Sequence, residues 1–125
     1  METINLRRAV AGALAATGAL HLILAPEYLS EQAYIGVLFI LGGITSIALA
    51  TAIWLRGDTR AVAAGAAVAV GMAVGFILSR TTGLPGFHES EWEVSGLLSL
   101  LLEGFVAVGA WQLLRAAPVR RQLAG

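Results

Sequence analysis

Two side chains are hard to explain by solubility alone: Glu103, inside the apolar run Ser95 to Trp111, and His21, inside Gly12 to Ala25. A carboxyl and an imidazole can exchange protons, accept hydrogen bonds or ligate a metal, and in hydrocarbon each is costly. On insertion scales a charged carboxylate at mid-bilayer costs roughly 2.5–3.5 kcal/mol, so Glu103 should face a protein interior and be paired or protonated.

Around them lies the richest polar stretch of the chain, SRTTGLPGFHESEWEVSGLLSLLLE from Ser79 to Glu103. It carries five of the sixteen charged side chains and one of the two histidines. Spaced on a helix, Trp92, Ser95, Gly96, Ser99 and Glu103 share about 100° of arc and form a polar stripe. Glu103 then reads either as a proton- or ligand-binding carboxyl reached beside Ser95 and Ser99, or as a neutral acid bonded to Ser99 or to a carbonyl of a neighbouring helix. His21 reads as a ligand or as an interior imidazole bonded to Thr17 or a carbonyl. Arg80 reads as an anion clamp, or as a cation at a helix C-terminus paired with Glu27 or Glu93.

A metal set of His21, His88 and Glu93 has the right donor types for zinc or copper, and two histidines can in principle ligate a haem. No spacing motif such as HExxH supports either. The broader ligand-binding set is His21, Glu27, Arg80, Trp92, Glu93, Ser99 and Glu103. No Ser/His/Asp arrangement or phosphate loop is present, and with no lysine and no cysteine there is no Schiff-base, thiolate or disulfide chemistry. An enzyme using Glu103 and His21 for acid–base work stays open, but no nucleophile or cofactor signature marks one.

The elements that must position these groups are membrane spans. Of 125 residues 58% are apolar and 13% charged, too apolar for a small soluble domain. The charges fall in clusters between apolar runs of about twenty residues, enough to cross roughly 30 Å of hydrocarbon. An all-α, antiparallel four-helix transmembrane bundle is expected as one domain over 1–125, with spans at about 6–25, 33–55, 61–78 and 91–114 and a structured connection at 79–90. Arg7 and Arg8 before an apolar run also suit a secretory signal, but the run to Ala25 is long and reads as a retained span.

Pro26 is expected to end span one, Ser30 to cap span two, Arg56-Gly57-Asp58 to turn tightly, and Gly83 to terminate span three. Ser90 and Glu93 match a capping box opening span four, and Arg115 to Gly125 reads as a tail. Stepping 1.5 Å per residue from these ends puts His21 about 6–7 Å deep and Glu103 about 18 Å, so a site shared directly by the two would need substantial helix offset. Small residues repeat at helix spacing at Gly12, Ala16 and Ala19, at Gly42, Gly43 and Ser46, and at Gly71 and Gly75. They suit close packing within the bundle or against a second copy.

Alternating spans put Arg7, Arg8, Arg56, Arg60, Arg115, Arg120 and Arg121 on one side, cytoplasmic by the positive-inside rule, with both termini in the cytoplasm of a plasma-membrane protein. Glu27, Glu31, Glu89, Glu91 and Glu93 fall on the other side, and Trp54, Trp92 and Trp111 suit the interfaces. Zero net charge without a basic patch argues against nucleic acid.

HLILAPEYL, IGVLFILGG and SRTTGLPGFHESEWEVSGLLSLLLEG together resemble a group of small, uncharacterised four-span membrane proteins of actinobacterial type. The resemblance covers nearly the whole chain and is most specific in the third connection. It implies four spans and draws attention to His21, Pro26, Glu27, Arg80, Pro85, Trp92, Glu93 and Glu103, and it brings no reaction with it. Three roles follow as expectations: a lipid-embedded protein that binds a metal ion or small polar ligand, as for transport; an accessory subunit of a larger complex or homo-oligomer; or a proton or ion pathway centred on Glu103.

Overall fold

The computed structural model describes residues 3–124, with side chains placed for 3–116. Four helices follow one another: α1 (Thr3–Glu31), α2 (Ala33–Arg56), α3 (Thr59–Arg80) and α4 (Val94–Ala124). All four are long and apolar enough to cross a membrane. Helices are what such segments form in lipid, because only there does each backbone N–H and C=O find a partner within its own segment.

Short links fold the chain back and forth. Gln32 alone separates α1 from α2, and Gly57-Asp58 separates α2 from α3. Gly57 takes the left-handed conformation (φ 63°) and its N–H returns to Ile53 O, while Asp58 caps α3 by accepting from the Arg60 amide at 2.8 Å. That turn is the one the sequence predicts. Each helix packs on its two neighbours in the ring order α1, α2, α3, α4, with α1 against α2 the most extensive pairing.

The surface is inverted relative to a water-soluble protein. Ile23, Leu55, Leu101 and Val108 point outward, Leu101 with 73% of its surface open, while Thr17, Ser46, Ser99 and Glu103 are buried. An apolar belt of this extent suits lipid and not water. Inside, one half of the bundle is filled: Val10, Leu14, Ala50, Ile53, Val62, Val106, Ala110 and Leu113 form a continuous core towards the chain termini.

Three boundaries differ from the sequence reading. Pro26 does not end span one, because α1 continues through it to Glu31. Proline removes one N–H and one helical bond but does not forbid the helix from continuing. Ser30 therefore lies within α1, donating to Glu27 O at 2.7 Å, and extended Gln32 precedes α2 without a side-chain cap. Nor does α4 begin at Glu91. It begins at Val94, its first helical bond running from Leu97 N to Glu93 O, so the Ser90 capping box is not formed. Residues 89–91 are held elsewhere: the Glu89 amide bonds Ser79 O, and Glu91 O accepts from Arg80 Nε at 3.1 Å. At its far end α4 runs past the expected Leu114 to Ala124, and the side chains of Pro118, Arg120 and Arg121 lie outside the described residues.

These shifts change depth. His21 lies ten residues inside the end of α1 and Glu103 nine inside the start of α4, each about 13–15 Å by helix rise. The expected offset between them disappears.

Close approach of α1 and α2 falls at Gly18 and Gly43: a Cβ on Gly18 would stand 3.0 Å from Gly43 O, and one on Gly43 2.8 Å from Gly18 O. Gly12 and Ala16 are exposed, and added Cβ atoms at Gly12, Gly71 and Gly75 would meet nothing within 4 Å. The Gly71/Gly75 pair thus opens space instead of packing a neighbour.

Candidate functional site

Beyond the packed core the bundle is hollow. A partly open cavity of about 270 Å³ is enclosed by all four helices and the 81–93 connection. Its wall is mostly apolar, from Leu20, Leu24, Leu38, Phe39, Met72 and Phe76, and it is here that Gly71 and Gly75 leave room. Polar atoms converge towards its two ends, Tyr28, Ser79, Arg80 and, at the start of α4, Ser95 near the connection, and His21 and Ser99 on the inner side.

At the inner end the polar groups bond to one another. Thr17 Oγ1 donates to Glu103 Oε2 at 2.8 Å, Ser99 Oγ reaches the same oxygen at 2.5 Å, and the two hydroxyls are 2.9 Å apart. His21 Nε2 stands 3.9 Å from Glu103 Oε2. Its other nitrogen, Nδ1, lies 2.8 Å from Thr17 O. A carbonyl only accepts, so Nδ1 carries hydrogen and Nε2 is the ring nitrogen turned towards the carboxyl. Glu103 is 1% exposed and its second oxygen, Oε1, has no hydrogen-bond partner among the described residues. Of the alternatives the sequence leaves open, the Ser99 bond to Glu103 and a carbonyl, that of Thr17, accepting from the His21 ring are present, and so is the His21–Glu103 contact that the predicted depths argued against.

At the outer end Arg80 ties the connection to the bundle. Nη1 donates to Ser79 Oγ at 2.8 Å, Nη2 to Tyr28 OH at 3.2 Å, and Nε to Glu91 O. The guanidinium lies over Phe76, 4.3 Å from the ring centre, with Glu93 Oε1 3.9 Å away. The pairing with Glu93 is one the sequence suggests; that with Glu27 is not formed, Glu27 being exposed. A guanidinium has five N–H donors, so each Nη retains a hydrogen beyond these three bonds.

The connection is built as a cap. Gly83 (φ 88°) returns its N–H to Leu78 O at 2.7 Å, and Leu84 and Phe87 exchange backbone bonds of 2.7 and 2.9 Å around Gly86 (φ 65°). Gln32 Nε2 reaches Gly86 O at 3.0 Å, Tyr34 OH donates to Pro85 O, and Tyr28 meets Phe87 edge-on. The cap therefore rests on the α1–α2 junction as well as on α3.

The remaining predicted residues lie at or beyond the rim. Trp92 is half-exposed and packs edge-on against Phe76. His88 is exposed, its Nε2 2.9 Å from Thr81 O. The proposed metal set of His21, His88 and Glu93 is not assembled: among the described residues no three His, Cys, Asp or Glu side chains stand close enough to share an ion. The sequence reading names Thr17 as a partner of His21 but not of Glu103, and it leaves out Tyr28 and the Ser79 hydroxyl. Thr17 and Tyr28 stand four residues before and seven after His21, on the same helix face, so periodicity along α1 could have found them.

No family model, curated protein or solved structure matches this chain.

Proposed function

We propose that the protein is a multi-pass membrane protein that binds a small organic ligand in the hollow half of the bundle. The observation that carries this reading is the contrast within one molecule, tight packing towards the termini and a cavity of about 270 Å³ with polar groups at both ends beneath the cap. An apolar concavity with a few convergent polar groups is the usual form of a small-ligand site. The ligand it suits has an apolar body, for the Phe39, Met72 and Phe76 walls, and hydrogen-bonding atoms for Arg80 or Ser99. A divalent ion is less well supported, because the donor set it would need is dispersed.

The termini lie on the cytoplasmic side of the cell membrane in this reading. Arg7 bonds Trp54 O, Arg8 lies over Trp54 and Arg115 over Trp111. Arginine and tryptophan therefore cluster where an interface would lie, and the positive-inside rule orients that end inward.

Trp92, packed against the cavity-lining Phe76, is a natural reporter. In the Trp54→Phe/Trp111→Phe protein, reconstituted in lipid nanodiscs, 4-bromophenol should quench Trp92 saturably. Gly75→Phe, which fills the cavity, should abolish the saturable part. Quenching that rises linearly with the probe and is equal in both proteins would overturn the reading.

A further inference from the structure

Between the terminal arginines and the capped end, from Ala9 to Pro26, Ile35 to Leu55, Ala61 to Ser79 and Val94 to Leu114, the only acid or base is His21 on α1 and Glu103 on α4. The fold brings these two together at 3.9 Å. No acidic or basic side chain of α2 or α3 stands at that level; the other charged residue that lines the cavity is Arg80 at its outer end, with Glu93 3.9 Å from it, and Glu27 on α1 is exposed.

A count of hydrogens shows what the cluster lacks. Thr17 Oγ1, Ser99 Oγ and Glu103 Oε2 make three mutual contacts of 2.8, 2.5 and 2.9 Å, and two hydroxyls supply two hydrogens. With an ionised carboxyl, one of the three contacts sets lone pair against lone pair. One proton on the carboxyl completes the ring, because the oxygen positions are the same whichever atom of a pair carries the hydrogen. It also removes net charge from Glu103 Oε1, which is buried without a donor. His21 and Ser99 line the cavity while Glu103 lies behind them, so the cavity is the approach to this proton.

We infer that Glu103, Thr17, Ser99 and His21 form a proton-binding site in the membrane interior, loaded and unloaded through the cavity. In each exchange a water in the cavity gives one hydron to the cluster and takes one back. This concerns the floor of the cavity proposed above and does not depend on which ligand occupies it.

Infrared spectroscopy of the protein in nanodiscs tests it. At neutral pH the difference between wild type and Glu103→Gln should contain a carboxylic-acid C=O band. In D2O that band should shift, and Gly75→Phe should keep the band while slowing its shift at least tenfold. If Glu103→Gln fails to fold, Ser99→Ala serves instead, since it keeps the acid and should move the same band. Carboxylate bands in place of the acid band, or equally fast exchange with the cavity filled, would overturn the inference. Absence of saturable Trp92 quenching would leave it standing, so the two readings fail separately.

Discussion

His21 Nε2 lies 3.9 Å from Glu103 Oε2, across the α1–α4 contact and at the boundary between the packed and hollow halves of the bundle. Both residues are held before any ligand arrives, His21 through Nδ1 by Thr17 O and Glu103 through Oε2 by the Thr17 and Ser99 hydroxyls. Thr17 thus serves both partners, with its carbonyl and with its side chain.

Thr17→Val should destabilise the protein by about 0.5–1.5 kcal/mol, the net worth of the lost hydrogen bond, because Ser99 still donates to the same oxygen. Valine matches threonine in shape, so packing is preserved. Thermal unfolding in detergent should show a lower midpoint, and Thr17→Ser should recover most of the loss. A midpoint unchanged in Thr17→Val would mean that the hydroxyl is not bonded to Glu103.

Arg80→Ala should loosen the cap, because one side chain fastens Tyr28, Ser79 and Glu91 O together. Limited proteolysis should then cut within residues 81–93 faster than in wild type. Arg80→Lys should not rescue it, since an ammonium lacks the planar fork that reaches three acceptors. Rescue by lysine would show that charge alone suffices.

Glycines should divide by place. Gly18→Leu forces a side chain against Gly43 O and Ser46 Cβ, and overpacking at such a contact costs about 1–3 kcal/mol. Gly71→Ala meets open space and should be neutral or stabilising by up to about 1 kcal/mol through helix propensity. Equal effects in thermal unfolding would contradict the assignment of Gly18 to the helix crossing.

Spans, their number and the turn at Gly57 were legible because apolar length and a left-handed glycine are local signals. Depth was not. It hung on two ends, Pro26 and Ser90, where local rules favoured a stop at one and a start at the other. At Pro26 the helix simply continues without one bond. At Ser90 tertiary contacts win: Arg80 takes the Glu91 carbonyl and Ser79 O the Glu89 amide, which delays α4 to Val94. Two small boundary errors in opposite senses had separated His21 from Glu103. The Gly71/Gly75 spacing misled for a different reason, since small residues at helix spacing mark either a close contact or a void, and only the neighbouring helix decides which.

The most direct test of the site is the His21–Glu103 relationship itself. Solid-state NMR on the protein in lipid, with ring-nitrogen-labelled histidine and carboxyl-carbon-labelled glutamate, should show a strong dipolar contact between His21 Nε2 and the Glu103 carboxyl, lost in Glu103→Gln prepared with the same labels. His21 Nδ1 should carry the hydrogen. Absence of that contact, with His21 at the level set by a helix ending at Pro26, would contradict the account.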